Sequence, residues 1–241
     1  MICKFCLTIQ TQLNVSCSEA CVLFRAGAAR DGYFTNDDLT KQVSLALDIF
    51  EEKHPGVICL LLFDNATTHQ KRPLDGLSAR HMVLNPKHGW TNRTSVKMRN
   101  GKLLNGSVQH LYHADEHPKF PGWFKGMHTI LQERGLWRDR MKAQCKDFKC
   151  TDTTALCCAR RILFNQPDFA SQQSLLEEII TKSGHLCDFY PKFHYEFNFI
   201  EMYWGAAKWA YRLSRLTSGT EKMESNVLRC LDSVPALQIL R

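Results

Sequence analysis

At 241 residues, 44% hydrophobic and with a formal net charge of +7, the chain can build one sizeable core or two small ones and is too apolar to be a disordered tail. The moderate positive charge fits a polyanionic partner, and the lack of a run of about 18 apolar residues argues against a helical membrane span. Eleven cysteines, an odd number in a chain of ordinary hydrophobicity, argue against a small disulfide scaffold and for reduced thiols in an intracellular protein.

Met1 to Cys21 carries a single Lys, a broken apolar stretch and no small-residue cleavage site, which is not the pattern of a signal peptide. Val22-Leu23-Phe24-Arg25, ended by Ala26-Gly27, is a short strand candidate. Asn36, Asp37 and Asp38 then offer caps and N-terminal acids for a helix. Its apolar face is Leu39, Val43, Ala46, Leu47 and Phe50, and His54-Pro55-Gly56 ends it. Val57 to Phe63 is continuously apolar and predicts a central strand covered on both faces. Helix followed by strand points to an α/β layer fold.

Residues 86–122 look irregular, with hairpin signals at Asn100-Gly101 and again at Asn105-Gly106 before Val108 to Tyr112. A helix is predicted over Gly122 to Arg134, stopped by Gly135. Two more, Cys157 to Phe164 and Asp168 to Lys182, flank Asn165-Gln166-Pro167. His185 to Tyr190 is a short strand that Pro191 ends. A last long helix is predicted from about Asn198 to about Leu216, followed by a polar, weakly helical tail.

Two carboxylates stand out. Asp64 closes the apolar run and is followed by Asn65-Ala66-Thr67-Thr68-His69. An Asp there is often a turn or cap residue, but the carboxyl ends of strands are also where α/β sheets carry their sites. Glu201 falls at the third position of the last helix, three residues after Asn198, the spacing of a capping box. Phe193, Phe197, Phe199, Tyr203 and Trp204 surround it in sequence, and an acid in an apolar neighbourhood wants a cation or a donor. Two acids brought together suit Mg, a hard cation that takes oxygen ligands and keeps positions open for phosphate and water. Asp64 and Glu201 are therefore the candidate catalytic and metal-binding pair.

From Glu201, Lys208, Arg212 and Arg215 return to the same helix face at about 100° per residue, opposite Ile200, Tyr203, Ala207 and Tyr211. Such a stripe either contacts DNA phosphates or is a solvated face. His69 either approaches the same phosphates or packs against its own turn. Trp123, Phe124 and Lys125, beside Pro121-Gly122, are stacking or core-anchor residues. Cys145, Cys150, Cys157 and Cys158 cluster with spacings of 5, 7 and 1, which are neither ribbon nor finger spacings. They are a structural Zn site or buried, idle thiols.

The segments Asp64-Asn65-Ala66-Thr67-Thr68-His69, Pro191-Lys192-Phe193-His194 and Asn198 through Gly205 resemble the DDE superfamily endonuclease domain of mariner-related transposases, nearest to fungal copies. Arg30 to Asp38, Pro121 to Met127 and Leu163 to Phe169 resemble the same group, so the likeness runs over about residues 20–216. It implies a ribonuclease-H-like mixed sheet with flanking helices, an irregular insertion at about residues 86–165, and a C-terminal tail over residues 217–241. It also implies three acids holding two Mg or Mn ions to cut and join DNA, a nuclear setting, DNA as the partner, and room for a homodimer.

Carried over, Asp64 would be the second acid and Glu201 the third. The first acid of such enzymes lies on the first strand. The atypical segment of residues 1–19 contains no Asp, and its only acid, Glu19, is too close to the matched strand. Asp31 reads as a turn residue in Arg30-Asp31-Gly32. The expectation is thus an N-terminally truncated copy that lacks its first strands and upstream DNA-binding helices. It would be either a DDE endonuclease domain, inactive as it stands because the first catalytic Asp is missing, or a domesticated, non-catalytic DNA-binding or protein-interaction remnant.

Overall fold

The computed structural model describes residues 2–6, 21–150, 156–192, 199–215 and 218–234. The chain is mixed α/β and divides into two compact units, one formed by Met1–Lys71 with Ser174–Arg241 and the other by Arg72–Gln173.

In the first unit, β1 (Ile2–Cys6) pairs antiparallel with β2 (Cys21–Arg25). A tight turn follows, and Asp31 belongs to it: its Oδ2 accepts the Arg25 N–H at 2.7 Å. Helix α1 (Asn36–Lys53) is capped by Thr35, one residue before the predicted caps. Thr35 accepts from the Asp38 N–H, and Asp38 reaches back to the Thr35 N–H, a reciprocal capping box. That bonding, with Lys41 nearby, holds the Asp38 carboxyl below its usual range. Leu39, Val43, Ala46, Leu47 and Phe50 are all buried, as their spacing predicted.

Strand β3 (Leu60–Phe63) pairs in parallel with β6 (Leu186–Phe189), in the register Leu60↔Leu186 to Phe63↔Phe189. Helix α5 (Leu175–Lys182), capped by Ser174 and Glu177, leads into β6. The inner face of this ribbon, with Cys59, Leu61, Phe63, Cys187 and Phe189, packs on Leu39, Val43 and Leu47 of α1 and Leu176 and Ile180 of α5. Its outer face differs from the sequence prediction. Leu60, Leu62 and Leu186 are 55%, 44% and 56% exposed, and Val57 and Ile58 are exposed too. Among the described residues, the apolar run is a strand covered on one face only. With two residues per repeat, only Cys59, Leu61 and Phe63 can face the helices.

The predicted last helix is α6 (Phe199–Leu213), and Glu201 lies in its first turn. Asn198, its predicted cap, lies outside the described residues. The tail contains a further helix, α7 (Thr220–Asp232), packed on α6. Ala207, Cys230 and Leu231 are buried. The Tyr203 hydroxyl donates to the Leu231 carbonyl at 2.9 Å, and Asn226 donates to Ser214 at 2.7 Å.

The second unit holds a two-stranded hairpin, β4 (Gly101–Lys102) with β5 (Val108–Gln109). Its turn is at Asn105-Gly106, where Gly106 has φ +83°. Asn100-Gly101 is not a turn, because Gly101 is inside β4. Helix α2 (Gly126–Glu133) begins four residues later than predicted, since Trp123 to Lys125 are used in bridges and loop hydrogen bonds. Phe124 is fully buried and stacks on Trp90 at 3.9 Å between ring centroids, so it is a core anchor. Helices α3 (Ala159–Phe164) and α4 (Pro167–Ala170) complete the unit. The helix predicted from Asp168 to Lys182 is two, because Ser174 caps a new start at Leu175. The core joins Leu111, Phe124, Met127, Ile130 and Leu131 to Ile162, Leu163 and Phe169. The sheet is three separate two-stranded ribbons among the described residues.

Candidate functional site

Asp64 is the first residue past β3, at its carboxyl end. The parallel register places Tyr190 beside it, and the Tyr190 N–H donates to the Phe63 carbonyl at 2.8 Å. Asn65 donates to the Tyr190 carbonyl, which ties the two strand ends together. Asp64 is half exposed. Its Oδ1 accepts the Ala66 N–H at 3.0 Å and lies 2.6 Å from Nδ1 of His69. The turn Asp64 to His69 therefore closes on its own carboxylate. The His69 ring also packs edge-on against Phe63 at 5.5 Å, so this histidine is held in the turn.

Glu201 is exposed, and so are Lys208, Arg212 and Arg215. Tyr203 and Trp204 are partly buried beside Glu201, while the side chains of Phe193, Phe197 and Phe199 lie outside what is described. Lys208 and Arg212 share α6 with Glu201, but the helix ends at Leu213. Arg215 is thus past the helical register that grouped it with the others. Among the described residues, Asp64, His69 and Glu201 do not form a cluster of three donors that could share an ion. Among the described residues no group of three or more oxygen donors comes together, as a two-ion Mg or Mn site with acids fixing both ions would need.

The chain does bring four donors together elsewhere. The ligand atoms of Cys145, Cys150, Cys157 and Cys158 all lie within 4.8 Å of one another, and this group could hold a metal ion such as Zn. Hydrogen bonding from Cys157, then the Arg161 guanidinium, lowers the Cys150 thiol. Cys157, on the other side of that bond, is pushed up to about 12. Cys187 in β6 is also raised to about 12, by burial first and then by Glu177 and Asp188, and reads as an inert core thiol.

A second feature was not legible from the sequence. In the second unit a solvent-open cleft of ≈ 750 Å³ is lined by Arg80, His81, Lys87, Arg93 and Arg160 around the buried Trp90. Among the described residues no carboxylate lines it. Arg160 is anchored by donating to the Arg80 carbonyl at 2.6 Å and the Met82 carbonyl at 2.9 Å. Burial first, and then the positive charges of Arg93, Arg80 and Arg160, hold the His81 imidazole below its usual range. Arg80, His81, Lys87 and Arg93 fall in one stretch with no helical or strand period, and only the fold brings Arg160 of α3 to them.

Comparison of the chain with protein-family models, curated proteins and solved structures finds no match. No helix among the described residues is long and apolar enough to cross a membrane.

Proposed function

We propose that the chain is a transposase-derived domain of the DDE endonuclease type, with a ribonuclease-H-like fold, that it binds DNA, and that it does not cleave it. The observation that carries the reading is the place of Asp64, at the carboxyl end of a strand paired in parallel with a second strand across an intervening crossover. Glu201 in the first turn of α6 supports it, since the resemblance puts the second and third acids at such positions. The exposed Lys208, Arg212 and Arg215 and the carboxylate-free cleft supply positive charge for phosphates.

In the intact family the acids hold Mg or Mn, which would activate the attacking oxygen. Among the described residues no three oxygen donors meet, and His69 lies against one oxygen of Asp64. That contact favours a second reading within the same lineage: a non-catalytic DNA-binding or protein-interaction remnant whose Asp64 now serves as the cap of its own turn. Both readings meet one experiment. The purified chain and its Glu201→Gln variant are assayed for nicking of supercoiled DNA with Mg and with Mn, and for binding of a short duplex across a salt series. Salt-dependent binding without nicking is expected. Metal-dependent nicking that disappears in the variant would restore the enzyme, and no binding at low salt would leave the interaction remnant.

A further inference from the structure

We propose that Cys145, Cys150, Cys157 and Cys158 form a structural zinc site, one Zn2+ per chain held by four thiolates within the second unit.

The geometry carries the assignment. Zn–S bonds of about 2.3 Å in a tetrahedron put the sulfurs about 3.8 Å apart. The four sulfurs lie within 4.8 Å of one another, and those of Cys157 and Cys158 are 4.0 Å apart. A small contraction around an ion therefore completes the site. A disulfide would need a sulfur pair at about 2.05 Å. Cys157 and Cys158 are also neighbours in sequence, where a bridge would close a very small, strained ring.

Two short arms build the cluster. The first runs through Lys142 and Ala143 to Cys145, and a one-turn 3-10 helix (Lys146–Phe148) folds it back to Cys150. Asp147 takes φ +53° in that turn, a left-handed conformation that Asp tolerates better than most residues. The second arm carries Cys157 and Cys158 into α3. The arms are already joined by backbone: the Ala159 N–H donates to the Lys142 carbonyl at 3.0 Å, and the Arg160 N–H to the Ala143 carbonyl at 3.1 Å. Four sulfurs converge between two arms whose backbones do not depend on them for register. Idle thiols have no reason to converge in this way.

The chemistry selects the ion. Thiolates are soft donors that prefer Zn to Mg or Mn, and four protein ligands leave no open position, so the site is structural. Binding replaces four thiol protons, released to solvent, by one divalent cation and leaves a net charge of −2 on the centre. The charge of the Arg161 guanidinium, which acts on the Cys150 thiol, offsets part of that charge. The site also braces its surroundings. Ala159, Ile162 and Leu163 of α3 belong to the core of the unit, while Ala143, Gln144 and Arg160 line the basic cleft.

The test needs no DNA and is independent of the proposed function. The full chain is expressed in zinc-supplemented medium and its metals are measured by mass spectrometry. One zinc per chain is expected. Cys145→Ser and Cys157→Ser should lose it, while Cys59→Ser and Cys187→Ser, outside the quartet, should retain it. If the quartet variants are insoluble, wild-type chain stripped of metal and refolded with Co2+ gives the same answer. Thiolate-to-cobalt charge-transfer bands and intense tetrahedral ligand-field bands are expected. Folded protein with no bound metal, iron in place of zinc, zinc retained by both quartet variants, a Cys157–Cys158 disulfide, or a cobalt spectrum without sulfur ligation would each overturn the proposal.

Discussion

Replacing Asp168 tests how the second unit is held together. Its carboxylate makes two parallel bonds to Arg134, Nη1–Oδ1 at 2.9 Å and Nη2–Oδ2 at 2.7 Å, with the two side chains 4% and 7% exposed. The Lys102 N–H also donates to Oδ2, the Gln109 side chain accepts from Arg134 Nε at 2.8 Å, and the Phe169 ring lies 5.4 Å below the guanidinium. Gly101 makes room for the pair, since a Cβ there would stand 2.7 Å from Asp168 Oδ2. Asp168→Ala leaves a buried guanidinium with Gln109 and Gln166 as its side-chain hydrogen-bond partners and no counter-charge among those partners. Removing one member of such a pair costs about 3–5 kcal/mol. For a unit of roughly a hundred residues at about 4 °C or more per kcal/mol, the melting temperature should fall by at least about 12 °C. Asp168→Asn keeps the shape and one acceptor, and should cost about 1.5–3 kcal/mol. Burial alone would raise the Asp168 carboxyl, but Arg134 and the Lys102 N–H outweigh it and the group sits below its usual range. Because the folded-state value is depressed, the contribution is complete above the ordinary carboxylate range and is lost as pH falls through the folded value. The acid limb of stability should therefore flatten in Asp168→Asn. Calorimetric melts at neutral and acid pH measure both effects. A loss under about 1 kcal/mol for Asp168→Ala would show that the pair contributes no more than an exposed one.

Other expectations follow from single sites. Gly126 has φ +79° and a Cβ there would stand 2.5 Å from the Leu84 carbonyl oxygen, so Gly126→Ala should lose at least about 2 kcal/mol in urea unfolding. Gly135→Ala, also left-handed but in open space, should lose only about 1–2 kcal/mol. His81 should titrate below the ordinary histidine value in an NMR pH series and shift upward when a short DNA duplex is added, because an anion in the cleft favours the protonated ring; no upward shift would remove the cleft from DNA binding. Since the folded-state value of His81 is depressed, its protonation should erode stability as pH drops below the ordinary histidine range. Replacing Lys208, Arg212 and Arg215 together by Ala should weaken DNA binding and lower the salt slope by up to about three units, and an unchanged slope would return the stripe to solvent. Leu62→Lys, on the bare outer face of β3, should raise solubility with little change in melting temperature, as read by light scattering and calorimetry.

Where local signals act alone, the sequence was readable. Helix α1 followed from its apolar spacing and a polar start, and the β3 and β6 strands followed from short apolar runs closed by Asp64 and Pro191. The failures have physical causes. The run Val57 to Phe63 looked doubly buried because composition says nothing about which face finds a partner, and only Cys59, Leu61 and Phe63 do. The helix predicted from Gly122 lost its first turn because the Met127 and His128 N–H groups found the Val83 and Leu84 carbonyls, a long-range bonding that no window can see. Arg215 left the basic stripe because α6 stops two residues short of it.

The two candidate sites separate for the same reason. Asp64 was visible because a strand end is a local signal, yet whether an acid at a strand end becomes a ligand depends on what the rest of the chain brings to it. Here the side chain that meets it is His69, five residues away and part of the same turn. The cysteine quartet gave the weaker sequence signal, since spacings of 5, 7 and 1 match no familiar zinc pattern. Familiar spacings describe knuckles closed by one short turn each. In this chain the 3-10 turn closes Cys145 on Cys150, and the backbone bonds from Ala159 and Arg160 to Lys142 and Ala143 deliver the vicinal pair from a separate arm. Ligand convergence is thus enforced by tertiary hydrogen bonds. The site with the poorer motif is the one where four donors come together among the described residues.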